Sequence, residues 1–461
     1  MVAVLDQTDD ERRAAYAGEV AARIERLPVT TWQIRARVII GTATFFDAFD
    51  ALAIAYILPV IVPLWKLTPP EVGLLISAGF FGQLLGALFF GFLAERYGRM
   101  PALLGAIGMF GLLSFVCAFA WDYNSLLTLR TLQGFGLGGE VPIAATYIGE
   151  LAKAKGRGRF VLLFELVFPS GILAASILGL WLVPNFGWQS MFIVGALPSL
   201  LVLFLQRLLP ESPRWLAARG RYAEAEAALR TVEAGTEKAF GRPLPRPDFS
   251  LSAPIRRSSW RDVFGPHYLR RTLVVWVMWF ATYFVNYGLA TWMPTLYSTV
   301  FHLPLNVSLR YQLITNVLTL FASFTCAMLI DLTGRRAWFV AAFAGSALAL
   351  IALWYIGPTT PLRVLMLGTV SNMFTGTMSL AVYLYTPELY PTRSRALAVG
   401  TATAWLRLAS IIGPNVVGVL IAGGGLKTVF LTFGLVALAA SMIVGLFAIE
   451  TRGRVLEEIS P

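Results

Sequence analysis

Thr44-Phe-Phe-Asp-Ala-Phe-Asp-Ala-Leu-Ala-Ile-Ala-Tyr56 sits inside the first long apolar run, and its two acids decide how the rest of the chain is read. The run is apolar enough to cross a bilayer, yet Asp47 and Asp50 lie near its middle. A carboxylate at membrane depth costs about 2.5–3.5 kcal/mol on insertion scales. Such a residue usually faces a partner or an aqueous pathway, which makes it a functional candidate. The i, i+3 spacing places both acids on one helical face. Two acids so close repel, so one is placed to carry a proton near neutral pH. The plainer reading is an acid hydrogen-bonded to a packed neighbour, and two acids on one face weigh against it.

Composition agrees with a membrane chain. Of 461 residues 57% are hydrophobic and 14% charged, with a mean hydropathy of +0.68. A soluble chain averages about 25% charged residues. Cys117 and Cys326 each fall in an apolar segment and form no metal or redox motif. His267 and His302 lie near loops, and no nucleophile–base constellation is present, so neither an enzyme nor a cofactor is expected.

Apolar runs of about 20 residues recur twelve times. They fall at 38–64, 72–94, 101–121, 125–149, 160–183, 187–208, 272–297, 310–331, 338–357, 362–387, 396–422 and 427–449. This predicts an all-α membrane protein: a tail at 1–37, six spans in 38–209, a polar segment at 210–271, six spans in 272–449, and a tail at 450–461. With the N-terminus cytoplasmic, 31 of the 37 Lys and Arg fall inside. Outside lie only Lys66, Arg310, Arg363 and Lys427, while Arg130 and Arg407 fall within spans. That bias places both termini in the cytoplasm of a plasma or inner membrane. It also assigns the net charge of +11 to topology rather than to nucleic acid. Arg23, Arg26, Arg35 and Arg37 of the tail are expected near anionic headgroups. No cleavable signal is visible, and Asn306-Val-Ser308 is an external glycosylation triplet only in a eukaryotic secretory route.

The halves repeat. Glu95-Arg-Tyr-Gly-Arg99 corresponds to Asp331-Leu-Thr-Gly-Arg-Arg336, and Tyr147-Ile-Gly-Glu-Leu151 to Tyr385-Thr-Pro-Glu-Leu389. The offsets are 236 residues at Gly98/Gly334 and 238 at Glu150/Glu388, which argues for duplication. Basic loops follow each second copy-end, Lys155–Arg159 and Thr392–Arg395.

Gly91-Phe-Leu-Ala-Glu-Arg-Tyr-Gly-Arg99 resembles the signature of the major facilitator superfamily, with Glu95 for the usual Asp and Met100 for a basic residue. Arg130-Thr-Leu-Gln-Gly-Phe-Gly-Leu-Gly-Gly-Glu-Val-Pro142, Pro210-Glu-Ser-Pro-Arg-Trp-Leu216 and Glu450-Thr-Arg-Gly-Arg-Val-Leu-Glu-Glu458 are similar to the sugar-porter and organic-ion branch. Asp47-Ala-Phe-Asp50 resembles aromatic acid:proton symporters; Gly138–Pro142 and Phe164-Glu-Leu166 look closer to niacin-type and synaptic-vesicle-glycoprotein-like carriers. The resemblance implies two six-helix bundles related by a pseudo-two-fold axis, with alternating access to a central site. It also implies a cytoplasmic gate at Glu95, Arg96, Arg99, Glu150, Asp331, Arg335, Arg336 and Glu388, all able to form ion pairs. The alternative is that these residues only set topology. Glycines 134, 136, 138 and 139 are read as helix packing.

Depth arithmetic sorts the buried charges. Asp50 lies 13 residues beyond Arg37, about 20 Å in at 1.5 Å per residue. Arg130 enters from the other side to a similar level, which predicts an Arg130 pair with Asp50 or Asp47. Glu140 and Glu165, on consecutive helices, could share a proton or simply hydrogen-bond within their bundle. Arg407, near mid-depth in the second half, suits a bidentate grip on a carboxylate, or else pairs with one of the acids. Tyr283, Asn286, Tyr287, Trp292, Asn372 and Tyr383 supply the mix that a small, flat polar ligand needs. The reading is a monomeric, proton-coupled symporter for a small organic anion such as an aromatic or pyridine carboxylate, with the bilayer as its other partner. Protonation at Asp47/Asp50 would loosen Arg130 while the substrate neutralises Arg407. The rivals are a sugar or polyol porter and a non-transporting binding protein on the same scaffold.

Overall fold

A computed structural model describes residues 9–151, 167–200, 202, 208–248, 263–391 and 394–452. Its helices are α1 Asp9–Glu25, α2 Thr31–Trp65, α3 Pro69–Tyr97, α4 Arg99–Cys117, α5 Tyr123–Leu151, α6 Val167–Phe186, α7 Gln189–Gly195, α8 Pro213–Ala218, α9 Tyr222–Phe240, α10 Pro266–Ala290, α11 Met293–Thr299, α12 Leu305–Thr333, α13 Arg335–Ile356, α14 Pro361–Glu388 and α15 Arg395–Phe447. Among the described residues nine spans are long and apolar enough to cross a membrane, α10 and α11 forming one of them together. Three more crossings complete twelve. One is α5, whose Arg130, Glu140 and Glu150 make it more polar than its neighbours. A second begins at α7. The third arises because Gly425, at φ 72°, breaks α15 into two crossings.

Local chemistry sets the helix ends. Thr68 and Glu71 form a capping box at the start of α3, with Pro69 and Pro70 behind it. Gly98 and Gly334 sit at φ 119° and 93°, where a side chain would strain the backbone, and each turns the chain directly into the next helix. The first turn after each glycine is capped by a distant acid. Glu211 accepts from the backbone N–H of Arg99 and Met100 at 3.0 and 3.1 Å. Glu450 does the same for Arg335 and Arg336 at 2.9 and 3.0 Å. A carboxylate there satisfies orphan donors and complements the helix dipole. Tyr147 and Tyr385 lock the same segments by donating to the carbonyls of Pro210 and Ile449.

The two bundles meet along seams related by the pseudo-two-fold axis: α3 packs on α15, and α6 on α12. In the first seam the chains run antiparallel. Gly418 lies against Pro69 and Gly73 against Pro414, both at backbone contact. Ser77 donates to the Ile411 carbonyl at 2.7 Å and accepts from Asn415 at 2.7 Å. In the second, Asn316 donates to Ser176 at 2.7 Å and to Tyr56 at 3.2 Å. The bundles are thus closed together on the face away from the termini. Gly134 backs onto the Gly79 carbonyl, so its role is close packing as the sequence suggested.

The N-terminal region departs from expectation. Arg23 and Arg26 are not free for headgroups. Arg23 binds Glu226 and Glu233 of α9, both at 2.7 Å, and Arg26 binds Glu233 at 2.6 Å. Val20 and Ile24 are fully buried against Trp215 and Leu229. Arg35 and Arg37 belong to α2, which starts at Thr31 in another capping box. The hydrogen bond from Arg23 holds the Glu226 carboxyl below its ordinary value of 4.5, against desolvation that pushes it up. Because the folded value is depressed, this contribution is present above 4.5 and lost as pH falls through the folded value. Pepsin should therefore release the tail helix increasingly below that pH, and Glu226→Gln should make release less dependent on pH.

Candidate functional site

A cavity of about 130 Å³ lies between the bundles, lined by residues of α2, α3, α5, α6, α10, α12, α14 and α15. One wall is aromatic. Tyr283 and Tyr287 stack at 5.7 Å along α10, Phe80 packs on Tyr287 at 5.0 Å, and Tyr383 meets Trp279 edge-on at 4.6 Å. Helical spacing of four residues brings the two tyrosines onto one face. Polar side chains line the cavity too. Asn286 donates to Thr375 at 3.3 Å, and Asn372 accepts from Thr319 at 3.1 Å.

Arg407 reaches this cavity from α15, and its guanidinium donates to the Gln83 side chain of α3. Asp47 lies on the cavity wall with its Oδ1 unpartnered among the described residues. Glu140 is buried behind it, accepting from Thr44 at 3.0 Å while its Oε2 has no partner among the described residues. Asp47 and Arg407 are each within Coulombic reach of Glu140 and of one another. The cavity wall thus brings one acid and one guanidinium together, with a second acid buried behind.

Asp50 is elsewhere. It points into the first bundle, where its Oδ2 accepts from Arg130 at 2.7 Å and its Oδ1 from Gln133 at 2.9 Å. Arg130 also donates to Gln133 at 2.8 Å, closing a three-residue ring that is at most 4% exposed. The depth match of Asp50 and Arg130 therefore holds. The two acids, however, take different partners: a three-residue step turns them by about 60° on a helix of 3.6 residues per turn. That angle is enough to send Asp47 to the cavity and Asp50 to α5.

Three other expectations are corrected. Trp292 does not line the cavity: it caps the break between α10 and α11, and its indole donates to the Pro414 carbonyl at 3.0 Å. Arg96 is exposed over the Tyr97 ring and makes no ion pair among the described residues. Arg336 likewise donates to the Gly445 carbonyl instead of a carboxylate. The other gate candidates do meet. Arg99 binds Glu95 at 2.9 Å and Glu150 at 3.0 Å, and Arg335 binds Asp331 at 2.7 Å and Glu388 at 3.1 Å. Each of these pairs joins helices of one bundle. Glu165, the basic loop at 155–159 and Arg393 lie outside the described residues. Sequence reasoning missed Gln83, Thr44 and Asn316 on the wall; the only signal was an isolated polar side chain in an apolar run.

Residues 41–461 match the family described as sugar (and other) transporter. The chain is similar to a niacin transporter of Acinetobacter baylyi, 34% identical over 450 residues, 96% of this chain and 99% of the relative. It is also similar to a gallate transporter of Pseudomonas putida, 29% identical over 431 residues, 91% and 93% of the two chains. Its fold is similar to that of a xylose transporter of E. coli in a partially occluded inward-open conformation, with a TM-score of 0.72 at 19% identity, covering 92% of this chain and 100% of that one.

Proposed function

Since the chain belongs to the sugar (and other) transporter family of the major facilitator superfamily, and is a multi-pass membrane transporter of a small organic solute, we propose that its cargo is an aromatic or pyridine carboxylate carried with a proton. One observation carries the reading: Arg407 presents a guanidinium to a cavity that a tyrosine stack also lines. A flat ring suits the stack, and a carboxylate suits the planar fork of Arg407. The niacin and gallate carriers named above support the same chemical class.

Proton coupling follows from charge balance. Asp47 lies within Coulombic reach of Arg407, so a cargo carboxylate brings a second anion to one cation whenever Asp47 is ionised. In a poorly hydrated site that excess is costly, and a proton taken up at Asp47 removes it. In this reading both termini and the segment 210–271 are cytoplasmic, 38–209 and 272–449 are the moving bundles, and 1–37 and 450–461 are tails. Arg99–Glu150 and Arg335–Glu388, each with side chains at most 20% exposed, would stiffen the cytoplasmic gate.

The test is uptake of labelled nicotinate by proteoliposomes with and without an inward proton gradient. Accumulation should need the gradient and collapse with an uncoupler. Benzoate should compete, and xylose should not. Uncoupler-insensitive accumulation, or competition by xylose alone, overturns the reading.

A further inference from the structure

We infer that Gln83 occupies the cargo's place on Arg407 in the empty carrier, and that a cargo carboxylate binds by displacing it. The inference rests on the reading that Arg407 grips a carboxylate. Gln83 belongs to the first bundle and Arg407 to the second, so their contact is a tie between the halves. It is the innermost rung of the α3–α15 seam, after Pro69/Gly418, Gly73/Pro414 and Ser77/Ile411. Of those rungs only this one lies on the cavity wall, where a solute can reach it.

Gln83 is also held firmly on its own side. It is 3% exposed, and its backbone carbonyl sits where a Cβ on Gly138 would have to go, so α3 and α5 are packed backbone to backbone at this level. Its side-chain oxygen is therefore presented to Arg407 by a fixed backbone. An amide oxygen is a neutral, single acceptor. A carboxylate is charged and offers two oxygens to the same fork, so it displaces the amide once seated. A sugar hydroxyl or a neutral carboxamide has no such advantage, which makes the exchange a filter for anions. It also ties loading to movement: cargo on Arg407 removes the rung, weakening the seam that keeps the bundles closed on this side. Cargo on the release side should then speed return of the carrier, so exchange outpaces net flux.

Equilibrium binding of nicotinate to the purified full chain tests this, with melting temperatures to verify folding. Gln83→Met keeps length and burial but removes the acceptor, and should tighten binding about tenfold, the scale of one hydrogen bond to a charged group. Gln83→Asn, which withdraws the amide by one methylene, should shift binding the same way and gives the answer if the Met variant does not fold. Gln83→Glu, a permanent anion on Arg407, should weaken nicotinate at least about tenfold. In transport, Gln83→Met should abolish the acceleration of uptake by nicotinate preloaded inside. Unchanged or weaker binding in both the Met and Asn variants overturns the inference. Arg407→Met separates it from the underlying reading: if that variant binds nicotinate like the wild type, the carboxylate grip itself is wrong.

Discussion

Asp47→Asn should abolish proton-driven accumulation of nicotinate while leaving counterflow exchange intact. Asp47 stands on the cavity wall, has an oxygen unpartnered among the described residues, and lies within Coulombic reach of Arg407 and Glu140. Asparagine keeps its shape and removes its charge, so cargo can load without a proton. Binding should then lose its pH dependence, and the gradient should no longer drive uptake. Exchange needs only loaded transitions and persists. The comparison with Asp50→Asn is what gives this result meaning. Asp50 neutralises Arg130 inside a closed ring, with both oxygens already occupied. Removing its charge leaves a buried cation without a counter-ion, and breaking such a pair costs about 3–5 kcal/mol. Asp50→Asn should therefore lower the melting temperature sharply, and Asp50→Asn with Arg130→Gln should recover much of it. If Asp47→Asn still accumulates cargo, and Asp50→Asn loses accumulation at unchanged stability, the transported proton sits on Asp50.

This division of labour was only half legible in the chain. Hydropathy gave the twelve crossings because each must satisfy its own backbone hydrogen bonds in lipid, which leaves long apolar helices and little else. Depth counting found the Asp50–Arg130 contact because rise per residue is fixed and charge at depth needs a partner. The same reasoning could not tell that Asp47 turns away from Asp50, since that depends on which neighbour occupies each sector of α2. Trp292 was misplaced for a related reason. It sits past the end of α10, where helical spacing from Tyr283 and Tyr287 no longer applies. Glu211 and Glu450 act on helix starts 112 and 115 residues away, contacts that no local pattern announces. The ion pairs of Arg23 with α9 are likewise a matter of tertiary docking, 203 and 210 residues apart in sequence. Gln83 is the sharpest case: a neutral amide in an apolar run has no charge to locate it, and its meaning appears only when Arg407 is found opposite.

The second large effect concerns movement rather than chemistry. Gly73→Val should reduce both net uptake and exchange below about a tenth of wild type, while nicotinate still binds. A Cβ at Gly73 would lie 2.8 Å from the Pro414 carbonyl oxygen and 3.1 Å from the Asn415 Cα. Both are backbone atoms and cannot rotate aside, so α3 and α15 could not close. The bundles would stay apart on the face away from the termini, and alternating access requires that face to shut in one state. No cavity side chain is replaced, so Arg407 and the tyrosine stack still hold nicotinate where transport fails. Gly423→Val is the control, because nothing lies within 4 Å of a Cβ there. A cysteine at Ser176, buried in the companion seam, reports the state. Cys117 and Cys326 are themselves buried and give little background. An impermeant maleimide added on that face should label Ser176→Cys readily in the Gly73→Val chain and poorly in its parent. Poor labelling in both, with transport lost, would mean that the seam closes despite the added side chain and that the defect lies elsewhere.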